Sequence, residues 1–410
     1  MQSEIYKPQP HQENRPKDSR ELTAQNIESW INLAREKLQD IKMPQKLREI
    51  VEESLKIPQL GPYHSEGPIM AAHIGLMIQT LEEIKGGSFD FSILKFSPGL
   101  EELRNRVISI ITTTVKNSFE QLLWFIYLHD IGKLNCMMII DSQKNQTPFT
   151  MDRWQEYLQR TNENSNAALE ILKSEGYTQI SYRIGNKDHG EEGVRIIQEL
   201  TQEEEKEEIN DFINRNEQLL KIISSHEVHF QIFNQSSSAR NFEKHIIEKG
   251  IDINLFFTAC FLDIAGSLNS EGLSDFTGFI NMIIAWECYM IIDEFLQNLQ
   301  ADEVKKQQIK DQLINLGSIE AVRRKIQEIK NEERLKKVKL NEQDIDEIVK
   351  EAKVNRIITE EEEGQLTEIL QNSIHEENLF AFLGKELPPK WKRLIPLIRA
   401  YLLKKLETDN

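Results

Sequence analysis

The sequence predicts an all-α protein, and two observations carry that expectation. Leu, Ile, Glu, Lys and Gln are plentiful while aromatic residues make up only 8% of the chain, and most of these abundant residues lose little side-chain freedom in a helix. Apolar residues also recur at helical spacing, segment after segment, between about residues 23 and 299, as they do where one face of a helix turns inward. The elements follow in order. Residues 1–22 are polar, contain prolines and have almost no large apolar side chain, which reads as a disordered tail. An N-terminal helical segment over 23–57 starts near Thr23 and places Ile27, Trp30, Ile31, Ala34, Leu38 and Ile41 at helical spacing. The turn I-P-Q-L-G-P (57–62) separates it from a stripe of Ile69, Met70, His73, Leu76, Met77, Leu81 and Ile84.

An apolar helix through Leu122, Phe125 and Ile126 then ends in L-H-D-I-G-K (128–133). Residues 141–150 read as a polar loop bordering the cleft. Asp188 stands where it can cap a helix that begins at His189 and runs through Val194, Ile197 and Leu200. The acidic run at 203–208 reads as a solvated face. His226 follows L-L-K-I-I-S-S, and Asp263 shares a helical face with Phe256 and Ala259 or Cys260. The long apolar stretch 276–296 is interrupted by Asn281, Glu287 and Asp293, so it reads as a buried helix and not a membrane span. A main domain over 58–299 is therefore followed by an accessory helical region over 300–410. Residues 301–350 hold 11 acidic and 12 basic residues in mixed order, a balance that suits solvent-facing helices, such as a helical hairpin, over a one-sign patch. After a break at T-E-E-E-E-G (359–364), the segment W-K-R-L-I-P-L-I-R-A-Y-L-L-K-K is amphipathic and locally basic. Packing against the body is its expected role, ahead of partner or membrane-surface contact.

Charge and cysteine content exclude several classes. The formal charge of −17 leaves no basic excess to displace counterions from a nucleic-acid backbone, although bound cations can reverse the sign inside one cleft. Three cysteines with no C-x-x-C spacing read as reduced, buried thiols and exclude a zinc ribbon. With no apolar core in the first residues, a soluble cytoplasmic protein is expected. A G-x-S-x-G elbow, a phosphate-binding P-loop and a dinucleotide-binding glycine pattern are all missing from the sequence.

The ionisable residues on the apolar stripes are the chemical signal. His73, His129, Asp130, His189, His226 and Asp263 all point inward by their spacing. Burying such groups without partners costs several kcal/mol each, and a shared metal ion removes that cost. Adjacent His129 and Asp130 can chelate one ion from a single short piece of backbone. Imidazole and carboxylate in this ratio suit Mn²⁺, Fe²⁺, Co²⁺, Ni²⁺ or Zn²⁺ better than Ca²⁺. His11, His245 and His375 have no such context.

Taken as an ordered set, these residues resemble the HD superfamily of metal-dependent phosphohydrolases, over roughly residues 60–270. The resemblance implies an HD-type helical bundle in which His73, His129, Asp130 and Asp263 hold a metal. The stretch H-S-E-G-P-I-M-A-A-H (64–73) looks like the opening of HD domains appended to tRNA nucleotidyltransferases. It implies that His64 and Glu66 line the site, with His64 the rival of His73 as ligand. His189 and His226 fall where the binuclear branch carries two further ligands, with Asp130 bridging both ions; in mononuclear members such histidines act instead beside the phosphate. His229, three residues after His226, is the alternative second ligand. H-D-I-G-K is typical of the binuclear branch and implies that Lys133 approaches the substrate phosphate. No G-Y-P follows His226, so cyclic-di-GMP hydrolysis is not supported. The implied function is hydrolysis of a phosphoester, in a nucleotide, cyclic nucleotide or related diester, by water activated on one or two divalent transition-metal ions. Lys133 would supply charge, and His189, His226 or His64 would protonate the leaving oxygen. A non-catalytic HD sensor or scaffold signalling through its C-terminal helices is the alternative, and RNA-end processing is disfavoured by the acidic charge. Any homo-oligomer or protein partner is expected to use residues 300–410.

Overall fold

The structure, a computed structural model, describes residues 21–62, 64–183, 188–202, 206–376 and 378–408. Helices dominate it, in agreement with the composition and periodicity. The chain divides into two compact units, Met1–Tyr289 and Met290–Asn410. The division falls inside a long helix, and residues 23–57 lie within the first unit.

In the first unit, α1 (Ala24–Asp40) starts where the Thr23 side chain accepts from the Asn26 amide, satisfying one of the open donors of a helix start. Leu22, expected in the tail, instead packs with Ile27 against Trp30, Leu76 and Leu268; residues 1–20 of that tail lie outside the described residues. After α2 (Gln45–Ser54), α3 (Met70–Gly86) is buried on nearly every side, and α1 lies along it. A Cβ on Gly75 would sit 1.9 Å from the Trp30 carbonyl oxygen, so only glycine lets these two helices approach this closely. Next come α4 (Glu101–Asn117) and α5 (Phe119–Leu128), then a tight turn of 3₁₀ helix at Ile131–Asn135.

The polar loop expected at 141–150 is corrected to part of a small antiparallel sheet. Strand β1 (Met138–Asp141) pairs with β2 (Gln146–Pro148) and with β3 (Tyr177–Ser181), in the order β2-β1-β3. Ile139 and Ile180 face each other in register and are both buried, while Asp141 Oδ1 accepts from the amides of Gln143 and Asn145 and closes the turn. Between these strands lie α6 (Met151–Arg160) and α7 (Ser165–Ser174).

The chain continues through α8 (His189–Glu199), α9 (Lys206–Arg215), α10 (Glu217–Ile223), the short α11 (Val228–Gln231) and α12 (Ala239–Phe242), then α13 (Ile253–Gly266) and α14 (Thr277–Asn298). Residues 203–205 of the acidic run lie outside the described residues. Helix α13 is the centre of this unit: it packs on α3, α4, α5 and α10, and Phe256, Phe257, Phe261 and Leu262 are fully buried. Each such side chain contributes about 1.5–3 kcal/mol by leaving water. No helix among the described residues is long and apolar enough to cross a membrane.

The second unit contains α15 (Glu303–Leu313), α16 (Ile319–Lys337), α17 (Glu342–Val354), α18 (Glu363–Asn372), α19 (Leu379–Glu386) and α20 (Leu394–Thr408). Helices α15 and α16 pack on each other and are largely exposed, in keeping with the expected solvent-facing hairpin, but the chain from Leu335 onward forms a body with its own core, built from Leu335, Ile348, Leu366, Leu370, Leu383 and Trp391 among others. The amphipathic terminal segment places Trp391, Leu394, Ile398 and Leu402 in that core. Buried Asp344 completes a capping box with Asn341 and accepts from Tyr401 at 3.1 Å and Lys405 at 2.6 Å.

Candidate metal centre

The helices of the first unit bring all six expected ligands together. His73 lies in the first turn of α3, His129 caps the end of α5, and Asp130 opens the 3₁₀ turn. His189 begins α8, which Asp188 caps as expected by accepting from the Glu191 amide at 2.9 Å. His226 sits in the turn after α10, and Asp263 lies near the end of α13. All are buried except Asp263, which keeps 17% of its side chain exposed. The glycine of H-D-I-G-K has a steric cause: a Cβ on Gly132 would meet the His189 carbonyl oxygen at 1.9 Å. Only glycine lets this turn lie against α8 and carry Asp130 to His189.

Asp130 is the pivot, because its two oxygens face different histidine pairs. Oδ2 lies 3.1 Å from His129 Nε2 and 3.9 Å from His73 Nε2, and Asp263 Oδ1 approaches the same two nitrogens at 3.7 and 3.4 Å. Oδ1 lies 2.9 Å from His189 Nε2 and 3.9 Å from His226 Nε2. Two groups that can hold a metal result, His73–His129–Asp130 and Asp130–His189–His226. Two neighbouring ligands held at 2.0–2.2 Å from one ion sit about 3 Å apart, and Nε2–Nε2 separations of 3.3 Å for His73–His129 and 3.1 Å for His189–His226 match that spacing.

The backs of the rings give an independent test of fit. Nδ1 of His73, His129 and His226 donates to the carbonyls of Gly266, Ile126 and Ile223, at 2.9, 3.0 and 2.7 Å. A carbonyl only accepts, so each Nδ1 carries a hydrogen and each neutral ring turns a bare Nε2 lone pair inward. Lone pairs facing each other at such distances repel unless a proton or a cation lies between them. The donor set therefore fits divalent metal. The same arrangement explains the electrostatics of the metal-free protein. Burial lowers the affinity of His129 for its proton, but Asp130 and Asp263 beside it outweigh burial and raise its pKa to about 10. Asp130 and Asp263 are held well below the usual carboxylate range despite burial, by His129 and Lys133 in the first case and by His129 and His73 in the second. Burial and the neighbouring His189 push His226 down to about 4.

A cavity of about 590 Å³ opens onto this cluster. Asp130, His189, His226 and Asp263 line it, whereas His73 and His129 do not. Lys133 lines it too, but its ammonium is 2.8 Å from Asp130 Oδ2 and 4.6 Å from the centre of the Tyr182 ring. His64 stands on the wall with Nδ1 3.1 Å from Glu66 Oε1. Glu66 is fully buried and is not part of the lining: it accepts from the Leu268 amide at 3.0 Å and stands 3.7 Å from His73 Nδ1. The structure thus places His73 in the cluster and His64 outside it. His226, not His229, joins the cluster; His229 Nδ1 donates to the His226 carbonyl at 2.6 Å. One residue was not foreseen: Glu227 lines the cavity with Oε1 3.4 Å from His189 Nδ1. Its position between His226 and the second histidine of S-H-E-V-H was the available signal. No protein-family model, curated protein or solved structure matches this chain.

Proposed function

We propose that the chain is a metal-dependent phosphohydrolase of the HD type, holding two divalent transition-metal ions. His73, His129, Asp130 and Asp263 would hold one ion, and Asp130, His189 and His226 the other. The observation that carries this reading is the division of the Asp130 oxygens between two histidine pairs beside a cavity. Ions held there supply Lewis acidity, lowering the pKa of water from about 15.7 toward 7 and neutralising phosphoryl oxygens.

The chain's own residues supply the rest. Lys133, buried against Asp130 and Tyr182, keeps a fixed positive charge beside the reacting phosphoryl group, where it is worth more than in water. His64 has its Nδ1 occupied by Glu66, so its Nε2 is the nitrogen free to carry a proton to the leaving oxygen. His189 and His226 are engaged as ligands, and burial holds His229 below the usual histidine range, which makes it a poor acid near neutrality. The testing experiment is elemental analysis of the purified protein together with hydrolysis of a nucleotide and phosphodiester panel. Bound transition metal and turnover that Asp130→Ala abolishes are expected. Equal turnover in that variant would sink the proposal, and bound metal without turnover of any phosphoester would favour a sensor or scaffold.

A further inference from the structure

Besides histidines, two cationic side chains line the cavity, Lys133 and Arg183, and they are not equivalent. Lys133 is balanced by Asp130 at 2.8 Å. Arg183 is exposed, just beyond the end of β3, and no carboxylate among the described residues comes within ion-pair distance of it. Its Nη2 donates to Gln231 Oε1 at 2.8 Å. Gln231 Nε2 in turn donates to Glu227 Oε2, and Glu227 Oε1 faces His189 Nδ1 at 3.4 Å. A line of side chains therefore runs along the cavity wall from an exposed guanidinium to a histidine of the metal centre.

A guanidinium presents its donors in a planar fork that matches phosphate, and Gln231 occupies only part of that fork. Lys133 is already paired with Asp130, whereas Arg183 is linked to the metal-centre histidines only through Gln231 and Glu227, so the two cations are placed to serve different groups of one ligand. Arg183 meets a group farther along the ligand. We propose that Arg183 is an anion-recognition residue that selects substrates carrying a second phosphoryl group, and that Gln231 and Glu227 position it relative to His189. This rests on the phosphohydrolase reading for the identity of the first group.

Phosphonates test it, because their carbon–phosphorus bond is inert to phosphoester hydrolysis and binding is read apart from turnover. Calorimetric titration of the full-length, metal-loaded protein would compare methylphosphonate with propane-1,3-bisphosphonate and pentane-1,5-bisphosphonate. The wild type is expected to bind at least one bisphosphonate about tenfold more tightly than methylphosphonate, the scale of one charged hydrogen-bonding group. Arg183→Ala should lose that preference while methylphosphonate binding and metal content stay unchanged. Arg183→Lys should recover part of it. Gln231→Leu keeps the charge but releases the guanidinium, and should lower the selectivity ratio, a quantity that overall stability does not move. Equal binding of mono- and bisphosphonates by the wild type, or a preference that survives Arg183→Ala, would overturn the assignment. An Arg183-dependent preference in a protein that turns over no phosphoester would instead remove the phosphohydrolase reading alone.

Discussion

The two histidine pairs flanking Asp130 use the same side chains but differ in what surrounds them. His73 and His129 face a second carboxylate in Asp263 and stay out of the cavity lining. His189 and His226 line the cavity, share only Asp130 as a carboxylate, and have Glu227 behind one ring. An ion among closed protein ligands is held for its charge and its shape, whereas one with open positions exchanges ligands with solvent and substrate. On the proposed two-metal reading, the first pair would hold the retained ion and the second pair the exchangeable one.

Removing the shared carboxylate should erase the contrast altogether. Asp130→Ala is expected to lower metal-dependent hydrolysis by about 1,000-fold or more and to deplete both ions, read by elemental analysis. Next in size, His73→Ala and His189→Ala should separate the halves. The His189 variant is expected to keep one tightly held ion, while the His73 variant loses the retained one; identical metal content in the two would collapse the distinction. Gly132→Ala forces the H-D-I-G-K turn away from α8, and overpacking of this kind costs about 1–3 kcal/mol. A lower Tm together with selective loss of the exchangeable ion is expected. Glu227→Gln keeps the shape but removes the charge behind His189, and such outer partners typically change metal affinity by about 10-fold. Titration calorimetry should find that loss confined to the weaker site.

The smallest expected effect is a pH dependence of the metal-free protein. His226 is depressed to about 4 from about 6.5 in the unfolded chain. Between those values the unfolded chain binds more protons, so stability falls as pH falls through that window. His129 is raised to about 10, so its contribution is fully present below about 6.5 and is lost as pH rises toward 10. Thermal denaturation should therefore show a maximum near the start of both windows. Metal should flatten the alkaline limb, since an ion takes the place of the His129 proton.

The predominantly helical character was legible because spacing and composition agreed from residue 23 onward, and the Asp188 cap is where a short acidic residue before an apolar run predicts it. The clustering of the six residues was legible for a related reason, since ionisable groups on apolar stripes have few ways to be satisfied. The hairpin at Met138–Pro148 was missed because its strands are three or four residues long, too short for alternation to register. The core of the second unit was hidden by the even mixture of charges around residues such as Leu335 and Ile348, which are nonetheless buried. Glu227 and Arg183 were not singled out because each reads locally as a solvated charge. Their meaning comes from Gln231, which joins them only in three dimensions.

The contact between Gly132 and the His189 carbonyl has a consequence for ion choice. The backbones that carry Asp130 and His189 are held together by this close approach, so only their side chains are left to adjust to an ion. First-row transition ions take nitrogen and oxygen ligands at about 2.0–2.2 Å, whereas calcium requires about 2.3–2.6 Å and more oxygens than this cluster offers. Rejection of the larger ion would then reside in the imidazole-rich ligand set, with the missing methyl group of Gly132 keeping that set compact.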